Sequence, residues 1–388
     1  MVLLTFIDSH IRGRTMAFHS TKSIVGVLVI CTLQSVFFAC VSASRTPHDQ
    51  SPSISPESTR ISEVGKLPVT DAWYSAQIVN ENDVFLATPK GLWRSFNGGR
   101  TWEEVYESRE YGGTITKTYF LNSSIGWMET HSGWFKSEDG GHTWESFGNP
   151  LSSSGRLRDI EFINRETGWI AGATLRAPSE KELGPGGAPN IPRYLYDDVT
   201  RKVFVPTVYR TDDGGKTWRA QTLPSGLGSI ERISFIDSNY GIALGNHEVM
   251  LTRDGGIRWT GVKDPRTCRS KDEEEPYEGR PVSVSILDSS FAWIAFDDGR
   301  MLRTTNGGLT WIELQPCQQN RPLVAHFSSQ DHGIGLANDR FLYETIDGGK
   351  QWIKIGTDKY GSLAFKDREY VWLVSENALF RIDLDTTP

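Results

Sequence analysis

Long apolar runs are scarce in this 388-residue chain. The candidate for a membrane span, Ile24 to Ala39, is shorter than the roughly 20 residues a crossing helix needs. Cysteine is scarce as well, with four residues: Cys31, Cys40, Cys268 and Cys317. No Cys-x-x-Cys pair is formed, so the spacing of a structural metal site is missing. Positive charge is not in excess either. Lys and Arg number 41 against 48 Asp and Glu, for a net charge of −7, which argues against nucleic acid as the partner of the whole surface. Local basic patches stay open, because a net charge hides its distribution. No metal or other cofactor is expected.

What is abundant is Gly, at 38, and Trp, at 13. That mixture favours many short strands joined by tight turns over packed helices. The N-terminal 43 residues read as an export signal, with Lys22 ahead of the Ile24–Ala39 run. Met16 makes a better start for it than Met1. Val41-Ser42-Ala43 resembles a signal-peptidase site, whereas Phe37-Phe38-Ala39-Cys40 resembles a bacterial lipobox with Cys40 as the lipidated residue. An uncleaved anchor is the third alternative. All three place the remainder outside the cytoplasm: in a periplasm, a thylakoid lumen or at the outer cell surface. Residues 44–58 are rich in Ser and Pro and read as a flexible linker. Residues 59–388 are then the folded domain.

Within that domain one pattern recurs six times: Ser/Thr, any residue, Asp/Asn, Gly, Gly, any residue, usually Thr, then Trp. Its polar anchors are Asn97, Asp139, Asp213, Asp254, Asn306 and Asp347, and its aromatic anchors Trp102, Trp144, Trp218, Trp259, Trp311 and Trp352. Asp or Asn is suited to accept bonds from the amides of its own turn, and paired Gly permits positive φ. Trp is suited to wedge between sheets. The carboxylates are thus structural, and no catalytic residue is assigned to them. Successive Trp residues lie 42, 74, 41, 52 and 41 apart. A base period near 41 fits one four-stranded propeller blade.

The fold class expected is therefore all-β: a seven-bladed β-propeller with Asp-box turns. The seventh unit has three strands and lacks the box, and the N-terminal run Arg60–Leu67 is expected to supply its outer strand. The longer spacings imply insertions at 173–207, between the second and third strands of blade 3, and at 262–280, between blades 4 and 5. Both fall on the face opposite the boxes, where loops on a rigid frame commonly carry function. Arg193, Tyr194 and Tyr196 form a candidate partner-binding patch, and Cys268 and Cys317 a candidate disulfide pinning the second insert.

Gly168-Trp169 followed by Thr211–Trp218, and Trp293 followed by Thr304–Trp311, resemble the photosystem II assembly and stability factor family of cyanobacteria and chloroplasts. The resemblance spans roughly residues 60–383. It implies a lumenal or periplasmic, non-enzymatic propeller binding protein partners, among them precursors of reaction-centre membrane proteins. The membrane would be met only through a lipid anchor. Two alternatives stand beside it: an exported scaffold for an unrelated partner, and a sialidase-like Asp-box glycoside hydrolase. The hydrolase needs convergent arginines, with Arg156, Arg158, Arg210, Arg232 and Arg303 as candidates. The Arg-Ile/Leu-Pro signature of sialidases is absent, Lys66-Leu67-Pro68 being the nearest stretch.

Overall fold

The computed structural model describes residues 59–68, 75–88, 91–107, 113–148, 150–151, 155–184, 189–191, 196–224, 227–263, 279–314, 322–356, 359–365, 370–375 and 377–384. They form seven antiparallel sheets, each a meander of strands A to D from the axis outwards. The inner A strands are Ser75–Ile78, Ile115–Phe120, Arg156–Phe162, Ile230–Phe235, Pro281–Ile286, Pro322–Phe327 and Ser362–Phe365. The chain is a seven-bladed β-propeller. Its ring is closed by Thr59–Lys66, which pairs antiparallel with Ala378–Leu384 as the fourth strand of blade 7. Pairing there caps an edge that would otherwise expose a row of backbone groups.

Each Asp box builds itself from the same bonds. In blade 3 the Thr211 hydroxyl donates to Asp213 Oδ1 at 2.8 Å and accepts from the Gly215 amide at 2.8 Å. Asp213 Oδ1 also accepts from the Thr217 amide at 2.9 Å. Gly214 and Gly215 have φ of 74° and 88°, the left-handed region that side chains disfavour. The first Gly amide then donates to the A–B turn of its own blade. Gly98 bonds Asn82 O at 2.8 Å, Gly140 Ser124 O at 2.7 Å, and Gly214 Glu166 O at 2.8 Å, and boxes 4 to 6 repeat the contact. A–B turns and Asp boxes therefore share one face of the ring, as the strand order requires.

Blades are joined by a second repeat, made of aromatics. Trp169, on strand B of blade 3, stacks on Phe235 of blade 4 at 3.6 Å between ring centres. Trp127 on Phe162, Trp293 on Phe327 and Phe85 on Phe120 do the same, at 3.7, 3.8 and 3.6 Å. Each of these Phe rings meets the Trp of its own Asp box edge-on; Phe235 and Trp259 are 6.0 Å apart. Such pairs each add about 0.5–1.5 kcal/mol beyond the area they bury. The strand C cation completes the layer. Arg210 lies over Trp169 at 5.2 Å and donates to Gly255 O in the next Asp box at 3.3 Å. Arg303 lies over Trp293, and Arg94, over Phe85, donates to Gly140 O.

The blade 3 insertion differs from a plain loop. Strands B and C run on to Gly168–Arg176 and Lys202–Thr211, paired from Gly168↔Thr211 to Arg176↔Val203. The β-branched and aromatic run Val203-Phe204-Val205 favours strand over coil, so much of the segment is a hairpin projecting from the face opposite the boxes.

Candidate functional site

The A strands surround a cavity of about 260 Å³ on the propeller axis. Strand alternation points the residue before the conserved apolar position towards it: Gln77, Tyr119, Glu161, Ser234, Ser285, His326 and Ala364 in blade order. Several of these lace one blade to the next. The Gln77 amide donates to Phe120 O at 2.6 Å and its Oε1 accepts from Phe120 N at 2.7 Å. The Tyr119 hydroxyl donates to Phe162 O at 2.7 Å. Glu161 Oε2 accepts from Phe235 N at 2.9 Å, and Ser285 Oγ from Phe327 N at 3.1 Å.

The wall is chemically lopsided. Blades 3 and 4 contribute its charge, Asp159, Glu161 and Arg232, and Lys117 of blade 2 stands behind it. Lys117 Nζ pairs with Asp159 Oδ1 at 2.9 Å, and Asp159 Oδ2 accepts from Ile233 N at 3.0 Å. Lys117 also donates to Arg158 O. Arg158 faces Glu231 at 3.4 Å. Arg232 lines the cavity and makes no hydrogen bond or ion pair among the described residues. Blades 5, 6, 7 and 1 offer Ser285, His326, Ala364 and Gln77 at the same level, with no carboxylate, Lys or Arg among them. Burial pushes the Glu161 carboxyl up to about 8, so at neutral pH much of it is protonated and a donor to whatever occupies the cavity. Burial also lowers the Arg232 guanidinium, against the pull of Asp159 and Glu231.

Beside this wall the blade 3 hairpin is held in shape. Arg156 Nη2 pairs with Asp197 Oδ2 at 2.7 Å. Asp197 Oδ1 accepts from the Val199 and Thr200 amides at 3.0 and 3.2 Å. Burial alone would raise the Asp197 carboxyl, but those amides and Arg156 hold it below the usual range. Tyr196 is half-buried and pairs with Val203. Arg176 grips Glu182 by two bonds of 2.6 and 2.7 Å, and Val199 stands exposed at the tip. Arg193, Tyr194, Cys268, Cys317 and Cys40 lie outside the described residues.

The five candidate arginines do not converge. Arg210 and Arg303 brace Asp-box junctions, Arg156 holds the hairpin, Arg158 faces Glu231, and of the five only Arg232 lines the axial cavity. The two carboxylates of the cavity, Asp159 and Glu161, come from one strand, and each is engaged by an amide of blade 4. Two carboxyl groups flanking a glycosidic bond are a different geometry. No group of three or more His, Cys, Asp or Glu able to hold a metal occurs among the described residues. Sequence reading missed Lys117, Asp159, Glu161 and Ser285. The available signal was a polar residue one or three places before the Phe or Ile that ends each A strand.

Comparisons with known proteins bear on this geometry. Residues 209–220 match the BNR/Asp-box repeat. Over 149 residues the chain is 26% identical to the photosystem II assembly lipoprotein Ycf48 of Synechococcus sp. (strain CC9902). That match takes in 38% of this chain and spans only 42% of that relative's length. Among solved structures, YCF48 bound to D1 peptide superposes with a TM-score of 0.59 at 14% identity, over 86% of this chain and 99% of that one. YCF48 from Cyanidioschyzon merolae gives 0.56 at 15%, over 84% and 99%. A streptogramin B lyase gives 0.54 at 13%, over 84% and 98%. The chain is thus an Asp-box propeller similar to the photosystem II assembly factors. A lyase of nearly equal likeness means that the shared fold alone does not select an activity.

Proposed function

We propose that the chain is an exported, non-enzymatic scaffold that holds a polypeptide partner during assembly of a membrane-protein complex, in the manner of a photosystem II assembly factor. The observation that carries this reading is the lopsided axial wall. Charged residues of blades 3 and 4 line one side, and Arg232, a half-buried cation without a described partner, opens onto the cavity. A partner segment bearing a carboxylate would relieve Arg232 and receive a hydrogen bond from protonated Glu161. The projecting blade 3 hairpin, with Tyr196 and the residues around it, supplies further contact area on one side of the ring. The solved structure of YCF48 bound to D1 peptide supports a polypeptide as the occupant.

The test is capture from detergent-solubilised membranes of the source organism by the immobilised full chain. Recovery of reaction-centre proteins, reduced roughly tenfold or more by Arg232→Ala, supports the reading. Failure to recover any from a host that makes photosystem II refutes it, and leaves the unrelated-partner scaffold in its place.

A further inference from the structure

The face that carries the Asp boxes is unused by the axial site, and its exposed side chains follow a pattern. One tip position, two residues before the box Trp and directly after the second Gly, is occupied by Arg100, His142, Lys216, Ile257, Leu309 and Lys350. All six are exposed, and none is acidic. Ile257 and Leu309 are 65% and 75% exposed, large values for aliphatic side chains. Around them on blades 4 to 6 stand Ile236, Ile312, Ile346 and Ile353, all exposed. On blades 2 and 3 the second tip position instead holds Glu138 and Asp212, where blades 4 to 6 have Arg253, Thr305 and Ile346. The result is an aliphatic arc over three consecutive blades, bordered by cations.

The chain itself indicates what lies against this arc. In every boxed blade, strand C runs towards the Asp box. In blade 7, strand C ends at Leu384, which pairs with Thr59. The N-terminal segment therefore enters the ring on the Asp-box face, at the blade next to blade 6. Upstream lies the apolar run Ile24–Ala39 followed by Cys40. Residues 41–58 reach at most about 60 Å even when fully extended. An anchor at either place would join the ring on this face, where Thr59 enters it.

We propose that the Asp-box arc of blades 4 to 6 is a membrane-contact surface, which seats Ile257, Leu309 and Ile346 at the headgroup boundary of an anionic bilayer while Lys350 and its neighbours meet the lipid phosphates. Aliphatic side chains flanked by Lys and Arg are the composition of interfacial contacts, and each basic residue strengthens attraction to an anionic surface. Such seating leaves the opposite face, with the blade 3 hairpin, open to a partner. It does not depend on which partner that is.

The experiment is amide hydrogen exchange on the full chain, free and bound to vesicles of phosphatidylcholine with phosphatidylglycerol. Segments 253–260, 305–312 and 345–353 are expected to exchange several-fold more slowly on the vesicles, and the hairpin segments 177–184 and 196–201 at an unchanged rate. Ile257→Asp with Leu309→Asp is expected to abolish that protection and to weaken partitioning about tenfold or more, whereas Val199→Asp on the other face leaves both unchanged. Lys350→Glu, which removes no apolar contact, is expected to weaken binding to these vesicles and not to phosphatidylcholine alone. Slowing in the hairpin in place of the arc, unchanged exchange everywhere, or slowing of the arc without vesicles as protein concentration rises overturns the proposal.

Discussion

At Gly168 a Cβ would stand 2.4 Å from the Phe162 ring, and at Gly241 the same distance from Phe235. The Gly that opens strand B of blades 2, 3 and 4 (Gly126, Gly168 and Gly241) is therefore a space requirement: the stacked Phe lies flat on its backbone. Gly168→Ala should lower stability by about 1–3 kcal/mol, the usual cost of overpacking, as read from urea unfolding. Gly148→Ala, where nothing lies within 4 Å, should leave the midpoint unchanged. The Asp-box acid obeys a different rule. Its Oδ1 does the structural bonding, and Asn97 and Asn306 supply an equivalent oxygen in boxes 1 and 5. Asp139→Asn, which keeps that oxygen but loses the charge behind the Thr143 bonds, should thus melt slightly below the wild type, whereas Asp139→Ala, which strips the acceptor from the Thr143 amide, should melt roughly 2 °C lower in calorimetry.

At the scale of elements, the closing strand carries the clearest consequence. Ile61 packs against the cluster of Ile334, Leu363 and Ile382, so Thr59–Lys66 supplies core as well as backbone bonds. Deleting it should lower the melting temperature and produce concentration-dependent light scattering, because the edge of Ala378–Leu384 becomes free to pair between molecules. Much at this scale was legible in the sequence. The Asp boxes disclosed blade number, blade phase and the face of each turn, because their glycines and polar anchors have few alternative uses. The three-stranded last unit pointed to its N-terminal partner. The extension of the blade 3 strands was not legible, since Lys202–Thr211 includes Pro206 and follows a Gly- and Pro-rich stretch that reads as loop. Nor was the ionic wall. Asp159 and Glu161 are recognisable only once the side of strand A that faces the axis is known, and a one-residue slip in register would turn both outwards.

For the whole molecule, burial and turn chemistry set opposing responses to pH. Hydrogen bonds from the Thr217 hydroxyl and amide hold Asp213 at about 2, and Asp139 sits at about 2 because its Ser137 and Thr143 bonds outweigh its burial. Both lie below the ordinary 3.8. The stability they contribute is present above that value and is lost as the pH falls through about 2. Glu161 is raised from 4.5 to about 8, so its contribution is complete below 4.5 and is lost as the pH rises through about 8. Thermal stability should accordingly be greatest in mildly acidic solution and decline towards pH 8. Glu161→Gln should flatten the alkaline limb of that profile in scanning calorimetry and leave the acid limb in place. Ring closure has a temporal consequence as well. Thr59–Lys66 leaves the ribosome long before its partner, Ala378–Leu384. At ordinary rates of synthesis the first strand waits tens of seconds for the last, through any export step, with its pairing edge unsatisfied. A chain cut short before Ala378 never closes, so the ring reports on whether synthesis has passed that strand.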